Sequence, residues 1–411
     1  MAKKIISLLL AGIMLLSVSG SAMAADDTLT IWLEAGTEDW LAANIELFNA
    51  LYPDVEVEAT FMSTDDIKNQ CKIAASSGTL PDLWWNWGGS LGLYYTSNGL
   101  CYDLTDIAAE LKFDEIFNEA ALESASLDGV LYGVPRLLST YGIIYHKPTL
   151  EAAGWTEMPT TFAEFEQMLE DIKTKTDKTP LCFASGNGWQ MMRLMMYVLD
   201  YYCGDELFAA MRNLEEPWNN EGAVAALNKL KEWADKGYFP EGYLTLQPDD
   251  TRMLLYAGLG AMTSGSISEL RSIINEGYDI SEFGIMPFPD ESEDGYTQQS
   301  TGSNVIQINA NLTPEKARMA AEFAMLTSDP ACREKTSNPL VGYGARLDYE
   351  GDIEQAQELT EYTNTYGSMT LIDQALSAEN CDVWFYVQDV VCEGTMTAEE
   401  ALAYFDANVV K

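Results

Sequence analysis

The chain has 411 residues, too long for one small domain, and its 47% hydrophobic and 21% charged residues are typical of a globular protein. Its charge is extreme, because 23 Lys and Arg stand against 64 Asp and Glu and give a formal net charge of −41. Such a surface repels phosphate backbones and anionic lipid headgroups, so we expect no nucleic-acid partner and no peripheral membrane role.

Histidine and cysteine restrict the chemistry further. His146 is the single histidine, so a multi-histidine metal site is excluded, and its place at the end of a predicted strand indicates a structural role. The seven cysteines include no Cys-x-x-Cys pair, which argues against a zinc ribbon or a redox motif. An odd number leaves at least one thiol outside any disulfide; a reducing or anaerobic habitat, or one or two unassigned bridges, would fit. We expect neither a metal nor a cofactor.

The N-terminus has the pattern of a secretion signal. Residues Met1–Ala24 combine two early lysines, an apolar run (Ile5–Leu16) and a small-x-small cleavage site (Ala22–Ala24). The apolar run is too short for a permanent membrane span. The first cysteine is Cys71, so no lipid-anchor cysteine follows the cleavage site. We therefore expect a periplasmic or secreted protein.

After the signal, strand and helix patterns alternate. This order predicts a doubly wound parallel α/β unit, in which ligands bind at the carboxyl ends of strands. Glu34 and the pair Asn86–Trp87 fall at such ends. The predicted strands are 28–33, 54–61 and 81–87, and the predicted helices are 38–51 and 66–76.

The segment Leu127–Lys147 is the most informative part of the chain. Asp128–Gly129 is a turn dipeptide between apolar residues and predicts a short hairpin. Gly133 and Pro135 predict a bend, and a fully buried strand follows at Gly142–Tyr145. One interpretation is an ordinary hairpin inside a single sheet.

The remaining chain continues the mixed pattern. The acidic loop Asp290–Gly295 imitates the start of a calcium loop, but Thr301 stands where the bidentate glutamate belongs, so we expect no calcium. The predicted helices are 161–173, 190–199, 221–236, 249–256, 314–328 and 397–405, and the predicted strands are 179–184, 260–266, 283–289 and 305–309.

Tryptophans stand beside small polar residues at several predicted turns. Sugars offer apolar C–H faces to aromatic rings and hydroxyls to planar polar groups, so this pairing favours carbohydrate binding. The turns concerned are Asn86–Trp87, Ser139–Tyr141, Asn187–Trp189 and the region of Trp384. Core filling is the alternative, above all for Trp84, Trp85 and Trp384. For Trp87 and Trp189, each next to a glycine and an asparagine, we favour a binding role.

Several motifs, taken in order, resemble the family 1 extracellular solute-binding proteins of ABC importers, of the sugar-binding, maltose-binding-protein-like kind. They include "LTIW", "SGxxPDLWW", "NGLxYDLT", "DGxLYGVP", "FGxxPxP" and a terminal "TxEEALxxF" helix. The resemblance implies an α/β, two-lobed type II periplasmic-binding-protein fold, with a doubly wound sheet in each lobe and crossing strands as the hinge. It implies an N-terminal lobe of residues 25–137 and 288–333 and a C-terminal lobe of residues 138–287 and 334–411.

The same resemblance implies the function. A monomer without catalytic activity would capture a carbohydrate, expected to be an oligosaccharide, in the inter-lobe cleft and deliver it to membrane permease subunits. The residues that correspond to the family's cleft segments are Glu34, Asn86, Trp87, Ser139, Tyr141, Asn187, Trp189, Gly265, Ser266, Gly302, Ser303 and Trp384.

Two other functions stay open at this point. A secreted glycoside hydrolase would share the acidity and the tryptophans, but it needs two opposed carboxylates, and Glu34 is the only carboxylate among the candidates. A receptor of the same fold for polyamine or ferric iron is the other. Adjacent tyrosines bind iron in some such receptors, and Tyr94–Tyr95 and Tyr201–Tyr202 are adjacent, although helix packing also explains them.

Overall fold

A computed structural model describes residues 28–290, 295–335, 344–348 and 353–410 of the chain. The predicted signal segment and the centre of the predicted acidic loop, 291–294, lie outside these ranges. The first twelve elements are β1 (Thr28–Glu34), α1 (Glu38–Leu51), β2 (Glu56–Met62), α2 (Thr64–Ser77), β3 (Leu83–Trp87), α3 (Ser90–Ser97), α4 (Thr105–Leu111), α5 (Phe113–Ile116), α6 (Glu119–Ser124), β4 (Ser126–Leu127), β5 (Val130–Leu131) and β6 (Gly133–His146).

The chain continues with a larger share of helix. The elements are α7 (Lys147–Ala153), α8 (Phe162–Lys175), β7 (Thr179–Leu181), α9 (Trp189–Cys203), α10 (Asp205–Arg212), α11 (Glu221–Asp235), α12 (Pro248–Tyr256), β8 (Gly260–Gly265), α13 (Ile267–Asn275), a 3-10 helix (Ile280–Glu282), β9 (Phe283–Met286), β10 (Gln299–Ile308), α14 (Pro314–Leu326), α15 (Pro330–Lys335), α16 (Glu354–Tyr366), β11 (Ser368–Thr370), α17 (Ile372–Ala375), α18 (Ala378–Glu393) and α19 (Ala398–Asn408).

Local sequence explains where several of these elements begin and end. In β1 every second side chain is buried, which is the period of a strand with one covered face. Helix α2 begins after Ser63, whose hydroxyl accepts from the amide of Asp66 at 3.2 Å. Helix α8 begins after Thr161, whose hydroxyl accepts from the amide of Glu164 at 3.2 Å. The predicted alternation of strands and helices up to β3 is confirmed.

A single path of hydrogen-bonded strands runs through the described chain. Its order is β2-β1-β3-β10-β6-β8-β7, with β11 beside β10 and β9 beside β6. Strand β1 pairs in parallel with β2 and β3, whereas β10 is antiparallel to both β3 and β6. The fold is therefore mixed α/β with a central mixed sheet.

Strand β6 connects the two parts of this path, since it pairs with β10 on one side and with β8 on the other. Its residues Gly133–Tyr141 pair with β10, and Gly142–Tyr145 pair with β8. Strand β6 is continuous for 14 residues, and the predicted bend near Pro135 corresponds to a β-bulge. Leu137 and Pro135 oppose consecutive residues of β10, which leaves Arg136 as the extra residue. The predicted hairpin before β6 is confirmed, with Asp128 and Gly129 both at positive φ.

The buried hydrophobic residues form separate clusters on the two sides of β6. The first cluster draws on β1, β3, α1, α14 and the end of β10. The second, larger cluster draws on α8, α9, α11, α18 and α19, and a small third cluster surrounds Ile144 and Leu255. Phe288 packs in the second cluster and Ala345 in the first. We call the part of the molecule around the first cluster the first half, and the part around the second and third clusters the second half.

Five of the seven cysteines lie in the hydrophobic clusters of the core. Cys71, Cys101, Cys182, Cys381 and Cys392 are free thiols buried among hydrophobic side chains. Burial raises the pKa of the Cys71 thiol to about 12, so this thiol stays protonated and unreactive at neutral pH. Within the described ranges, no helix has the length and apolar character to cross a membrane.

Candidate functional site

Arg193 lies between two aromatic rings where the first turn of α9 meets β6. Its Cζ atom is 4.1 Å from the ring centre of Tyr141 and 4.4 Å from that of Trp189. Trp189 and Arg193 are four residues apart on one helix, which places both on the same face. Arg193 also donates from Nη2 to the hydroxyl of Tyr141 at 3.2 Å. The guanidinium group is therefore fixed by stacking and hydrogen bonding.

A buried glutamate links this arginine to a second one. Glu269 on α13 binds Arg252 of α12 at 2.6 Å and Arg193 at 3.5 Å, both through Oε1. Its Oε2 accepts from the amide and the hydroxyl of Ser266 at 2.7 and 2.8 Å. These bonds complete a capping box at the start of α13. We call Tyr141, Trp189, Arg193, Arg252 and Glu269 the arginine cluster.

The charges of the cluster determine the state of its carboxylate. Burial alone would raise the pKa of Glu269, but the guanidinium groups of Arg252 and Arg193 and the bonds from Ser266 hold that pKa below its usual range. The side chain of Glu269 is only 6% exposed. Glu269 is therefore an ionised, fully engaged carboxylate that orients two cations.

Helix α17 brings a second carboxylate to the same region. It contacts α3 of the first half and α9 of the second. Its Gln374 accepts from the amide of Ser303 on β10 at 2.9 Å, which fastens α17 to the central sheet. Burial raises the pKa of the neighbouring Asp373, against the opposing effects of Lys68 and Arg193. Asp373 thus lies within electrostatic reach of one cation from each half.

Trp87 is the aromatic side chain that the first half supplies. It ends β3, is partly exposed, and has the ammonium group of Lys68 at 4.6 Å from its ring centre. Gly88 and Gly89 follow, and a Cβ atom at Gly89 would lie 2.3 Å from the carbonyl oxygen of Gln374. The end of β3 is therefore packed against the turn that carries Asp373.

The structure brings several of the predicted site residues to this region. Tyr141 and Trp189 belong to the arginine cluster, and Ser266 binds its glutamate. A Cβ atom at Gly265 would meet the Glu269 side chain at 2.9 Å, and one at Gly302 would meet the Tyr141 ring at 3.5 Å. The predicted residues in or beside the cluster are Tyr141, Trp189, Gly265, Ser266 and Gly302, whereas Ser303, and Gly89 after Trp87, contact Gln374 of α17.

Other predicted site residues have a different environment. Trp384 does not lie at a turn: it is on α18, has 0% exposure, and packs with its ring centre 4.6 Å from that of Trp218 and 5.9 Å from that of Phe405. Ser139 is not at a turn either, because it is buried in the middle of β6 opposite Gly302. These two turn predictions are wrong.

The remaining candidates, Asn86, Asn187 and Glu34, lie at the strand ends or turns where the sequence predicts them. Asn86 is buried and donates to Gln307 at 2.7 Å, so its amide is part of the core of the first half. Asn187 is exposed, and its carbonyl oxygen accepts from the amide of Trp189 at 2.8 Å. Glu34 is the last residue of β1 and is partly exposed.

Helix α18 packs against the turn before α9 and holds it in place. Gly188 has a φ of 72°, and a Cβ atom there would lie 2.2 Å from the Phe385 ring, so only glycine fits. Gln388 donates to the carbonyl oxygen of Gly188 at 2.7 Å. Ser185 donates to Asp389, and burial raises the pKa of that carboxyl to about 6. These contacts fix the position of the Trp189 ring.

Five functional residues of this region are not among those predicted from the sequence: Arg193, Arg252, Glu269, Asp373 and Lys68. Two signals were available. Arg193 follows Trp189 by four residues on a predicted helix, and Ser266-x-x-Glu269 has the spacing of a capping box. The contacts among Arg252, Glu269 and Asp373 join distant parts of the chain and left no local pattern.

Two cavities lie away from the arginine cluster. One, of about 450 Å³, is lined by His146, Thr149, Lys175 and Lys178 among others. The other, of about 670 Å³, is lined by Phe117, Leu122 and several acidic residues. Within the described ranges, no group of three His, Cys, Asp or Glu side chains could hold a metal ion.

The tyrosine pairs of the iron-receptor alternative pack as helix residues. Tyr94 and Tyr95 lie on α3 with ring centres 5.1 Å apart at 89°. Tyr201 and Tyr202 lie on α9 in a similar edge-on contact, and both rings approach Phe162. Neither pair is in the arginine cluster.

Comparisons with known proteins agree with this architecture. A curated relative, the diacetylchitobiose binding protein DasA of Streptomyces coelicolor, is 29% identical over 173 residues, which cover 42% of this chain and 40% of that protein. The maltodextrin-binding protein MdxE of Bacillus subtilis is 26% identical over 31% of this chain and 29% of its own length. The chain thus matches less than half the length of these relatives.

Solved structures share the fold over nearly the whole chain. A chitin oligosaccharide binding protein superimposes with a TM-score of 0.80 at 20% identity, covering 92% of this chain and 97% of its own. Maltose-bound MalE3 of T. maritima superimposes with a TM-score of 0.77 at 18% identity, covering 92% and 98%.

One protein-family model matches most of the chain. This model, described as bacterial extracellular solute-binding protein, aligns with residues 43–350, which is more than half of the 411 residues. Strands β6 and β10, which pair in the middle of the sheet, lie within this match. The chain therefore belongs to the bacterial extracellular solute-binding protein family.

Proposed function

We propose that this protein captures a carbohydrate beside the arginine cluster and delivers it to the permease of an ABC importer. The observation that carries the proposal is the stacking of Tyr141 and Trp189 on Arg193 within a cluster of partly buried ions, with a third ring, Trp87, stacked on Lys68 where β3 meets α17. Rings of this kind pack against the C–H faces of a sugar, while guanidinium and carboxylate groups bind its hydroxyls. The names of relatives, which include binding proteins for diacetylchitobiose and maltodextrin, support the same ligand class.

We propose further that the two halves are lobes that close on the ligand. The change of partners along β6 between Tyr141 and Gly142 supports a first crossing there. The predicted lobe boundaries stay a proposal, and the packing of Phe288 in the core of the second half favours a second crossing after that residue. A monomer in which both lobes contact one ligand is the expected unit.

A binding protein rather than an enzyme is the role that the carboxylates support. A glycosidase needs one carboxyl that gives up a proton and a second that attacks or activates water. Glu269 is ionised, and both of its oxygens are engaged by two arginines and Ser266, so it is not free to attack a sugar or to activate water. The engaged state of this carboxylate suits the orientation of a ligand.

Export of the protein fits the family to which it belongs. Extracellular solute-binding proteins work outside the cytoplasm. We propose that cleavage after Ala24 releases a protein without a lipid anchor, in the periplasm or the medium.

A thermal-shift screen across mono- and oligosaccharides tests the proposal. A ligand at ~100 times its dissociation constant adds about 2.7 kcal/mol to the free energy of unfolding, which raises the melting temperature measurably. We expect at least one carbohydrate to stabilise the protein and no hydrolysis product to appear during the incubation. Stabilisation by ferric iron or a polyamine, with no response to any carbohydrate, would contradict the proposal. Release of reducing sugar would favour the hydrolase.

A further inference from the structure

The arginine cluster contains two partly buried positive charges and one buried negative charge. Arg193 and Arg252 share one oxygen of Glu269, and Ser266 occupies the other oxygen. The side chains of the two arginines are only 12% and 23% exposed. Burying ions costs free energy that is offset when each charge is paired, and here two guanidinium groups have one buried carboxylate between them. A second carboxylate would complete the pairing.

Both guanidinium groups keep a donor for such a partner. Among the described residues, the buried Nε atoms of Arg193 and Arg252 have no hydrogen-bond acceptor. A guanidinium group offers a planar fork of N–H donors that matches the two oxygens of a carboxylate. The rings of Tyr141 and Trp189 hold Arg193 in place before a ligand arrives, which lowers the entropy lost on binding.

The other charged side chains near Arg193 and Arg252 do not cancel this excess of positive charge. Asp249 binds Arg252 at 3.1 Å, but its side chain is 89% exposed, so solvent screens the pair. Burial raises the pKa of Asp373, and its ionised form would offset only one of the cations Lys68 and Arg193. Lys68, stacked on Trp87 in the first half, adds a third cation. Three of the 23 basic side chains thus gather in one region of a chain with a net charge of −41.

An excess of cations is unnecessary for a neutral sugar, and the field of so acidic a protein repels anions unless cations concentrate locally. We infer that the ligand is an acidic carbohydrate, whose uronic acid carboxylate binds the guanidinium groups of Arg193 and Arg252. The inference rests on the proposed carbohydrate function and specifies its ligand class. Glu269 then has the role of orienting the two arginines toward the acid group.

Matched pairs of ligands test the inference. Oligogalacturonides, alginate oligomers and glucuronic-acid-bearing xylan fragments are each compared with a carboxyl-reduced twin, which is neutral but keeps length and linkage. Affinities come from titration calorimetry at low and high salt. We expect at least one acidic ligand to bind ten times or more tightly than its neutral twin. Added salt should reduce that ratio, because it screens the charges.

Variants connect the preference to the cluster. Arg252→Gln should bring the ratio of acidic to neutral affinity close to one, and Lys68→Gln, on the other half of the molecule, should lower that ratio severalfold. Arg318→Gln is the matched control, because Arg318, like Arg252, binds two carboxylates, here those of Glu110 and Glu322, but lies on α14 in the first half. That variant should keep the wild-type ratio. Should Arg252→Gln fail to fold, Lys68→Gln alone decides the outcome.

The outcomes separate this inference from the proposed function. Neutral twins that bind as tightly as acidic ligands, or more tightly, overturn the acidic class and leave carbohydrate binding intact. A preference that persists in both Arg252→Gln and Lys68→Gln overturns the assignment to these cations. If no carbohydrate binds, acidic or neutral, the proposed function itself fails.

Discussion

Trp189 and Trp384 are two indoles with opposite surroundings in the same half of the molecule. Trp189 is partly exposed at the start of α9, whereas Trp384 is fully buried between Trp218 and Phe405. We expect Trp189→Ala to weaken carbohydrate binding by about 2 kcal/mol or more, as for an aromatic hot spot, with a smaller loss of stability. Trp384→Ala should instead lower the free energy of unfolding by roughly 3–5 kcal/mol.

Calorimetric titration of ligand and urea-induced unfolding distinguish these effects. Each variant is the control for the other, because the same side chain is removed from a different environment. If Trp189→Ala bound ligand normally but unfolded much more easily, Trp189 would be a core residue and the site would lie elsewhere. Removal of the Trp189 ring also removes one of the two stacking partners of Arg193, so the loss of binding in Trp189→Ala includes any displacement of Arg193.

At the level of single residues, the sequence predicts features that depend on neighbouring residues in the chain. Trp189 was favoured because it follows Asn187 and Gly188, and the turn does require glycine. Trp384 was misplaced, although Val387 and Val391 follow it at the helical spacing of a buried face. Contacts between remote segments, such as that of Arg252 with Glu269, depend on the assembled fold and leave no trace in a single sequence.

Among the elements, α9 contains a buried acid that should make stability depend on pH. Burial and the nearby Asp205 raise the pKa of Asp200 to about 7, although its carboxylate accepts from the amide of Gln298 at 3.1 Å. The folded pKa is then above the unfolded value of about 3.9, so the folded state binds the proton more tightly. This contribution to stability is fully present below about pH 4 and is lost as pH rises through about 7.

Asp200→Asn removes the titration and keeps the acceptor. We expect the variant to be more stable than the wild type by roughly 1 to 4 kcal/mol at pH 8, with the difference shrinking toward pH 4. Urea unfolding at a series of pH values measures it. Asp205→Asn is the control for a lost negative charge on an exposed carboxylate, and it should retain most of the pH dependence. Parallel pH profiles for wild type and Asp200→Asn would contradict the assignment.

The strands illustrate why β6 was harder to predict than β1. The alternation in β1 reflects one covered face and is visible in the sequence. In β6, Gly133 and Pro135 predict a bend, because proline cannot donate to a sheet. The bulge at Arg136 absorbs the irregularity, and pairing with β10, some 160 residues away along the chain, keeps the strand continuous. Only the tertiary partner determines that outcome.

At the scale of the whole molecule, the connections between the halves suit a hinge. Strand β6 passes from one core to the other, and α17 contacts helices of both. The cations also come from both sides, with Lys68 in the first half and Arg193 in the second. A ligand that binds both sides favours the state in which they are close, since it gains contacts only there.

We therefore expect small-angle X-ray scattering to give a smaller radius of gyration when the carbohydrate identified by the screen saturates the protein. Saturation is established independently by calorimetry under the same conditions. Trp189→Ala at the same ligand concentration is the control, because the folded but poorly liganded protein should keep the larger radius. An unchanged radius for the saturated wild type would mean that the site is preformed. Binding would then proceed without closure, and the permease could not distinguish liganded from empty protein by its shape.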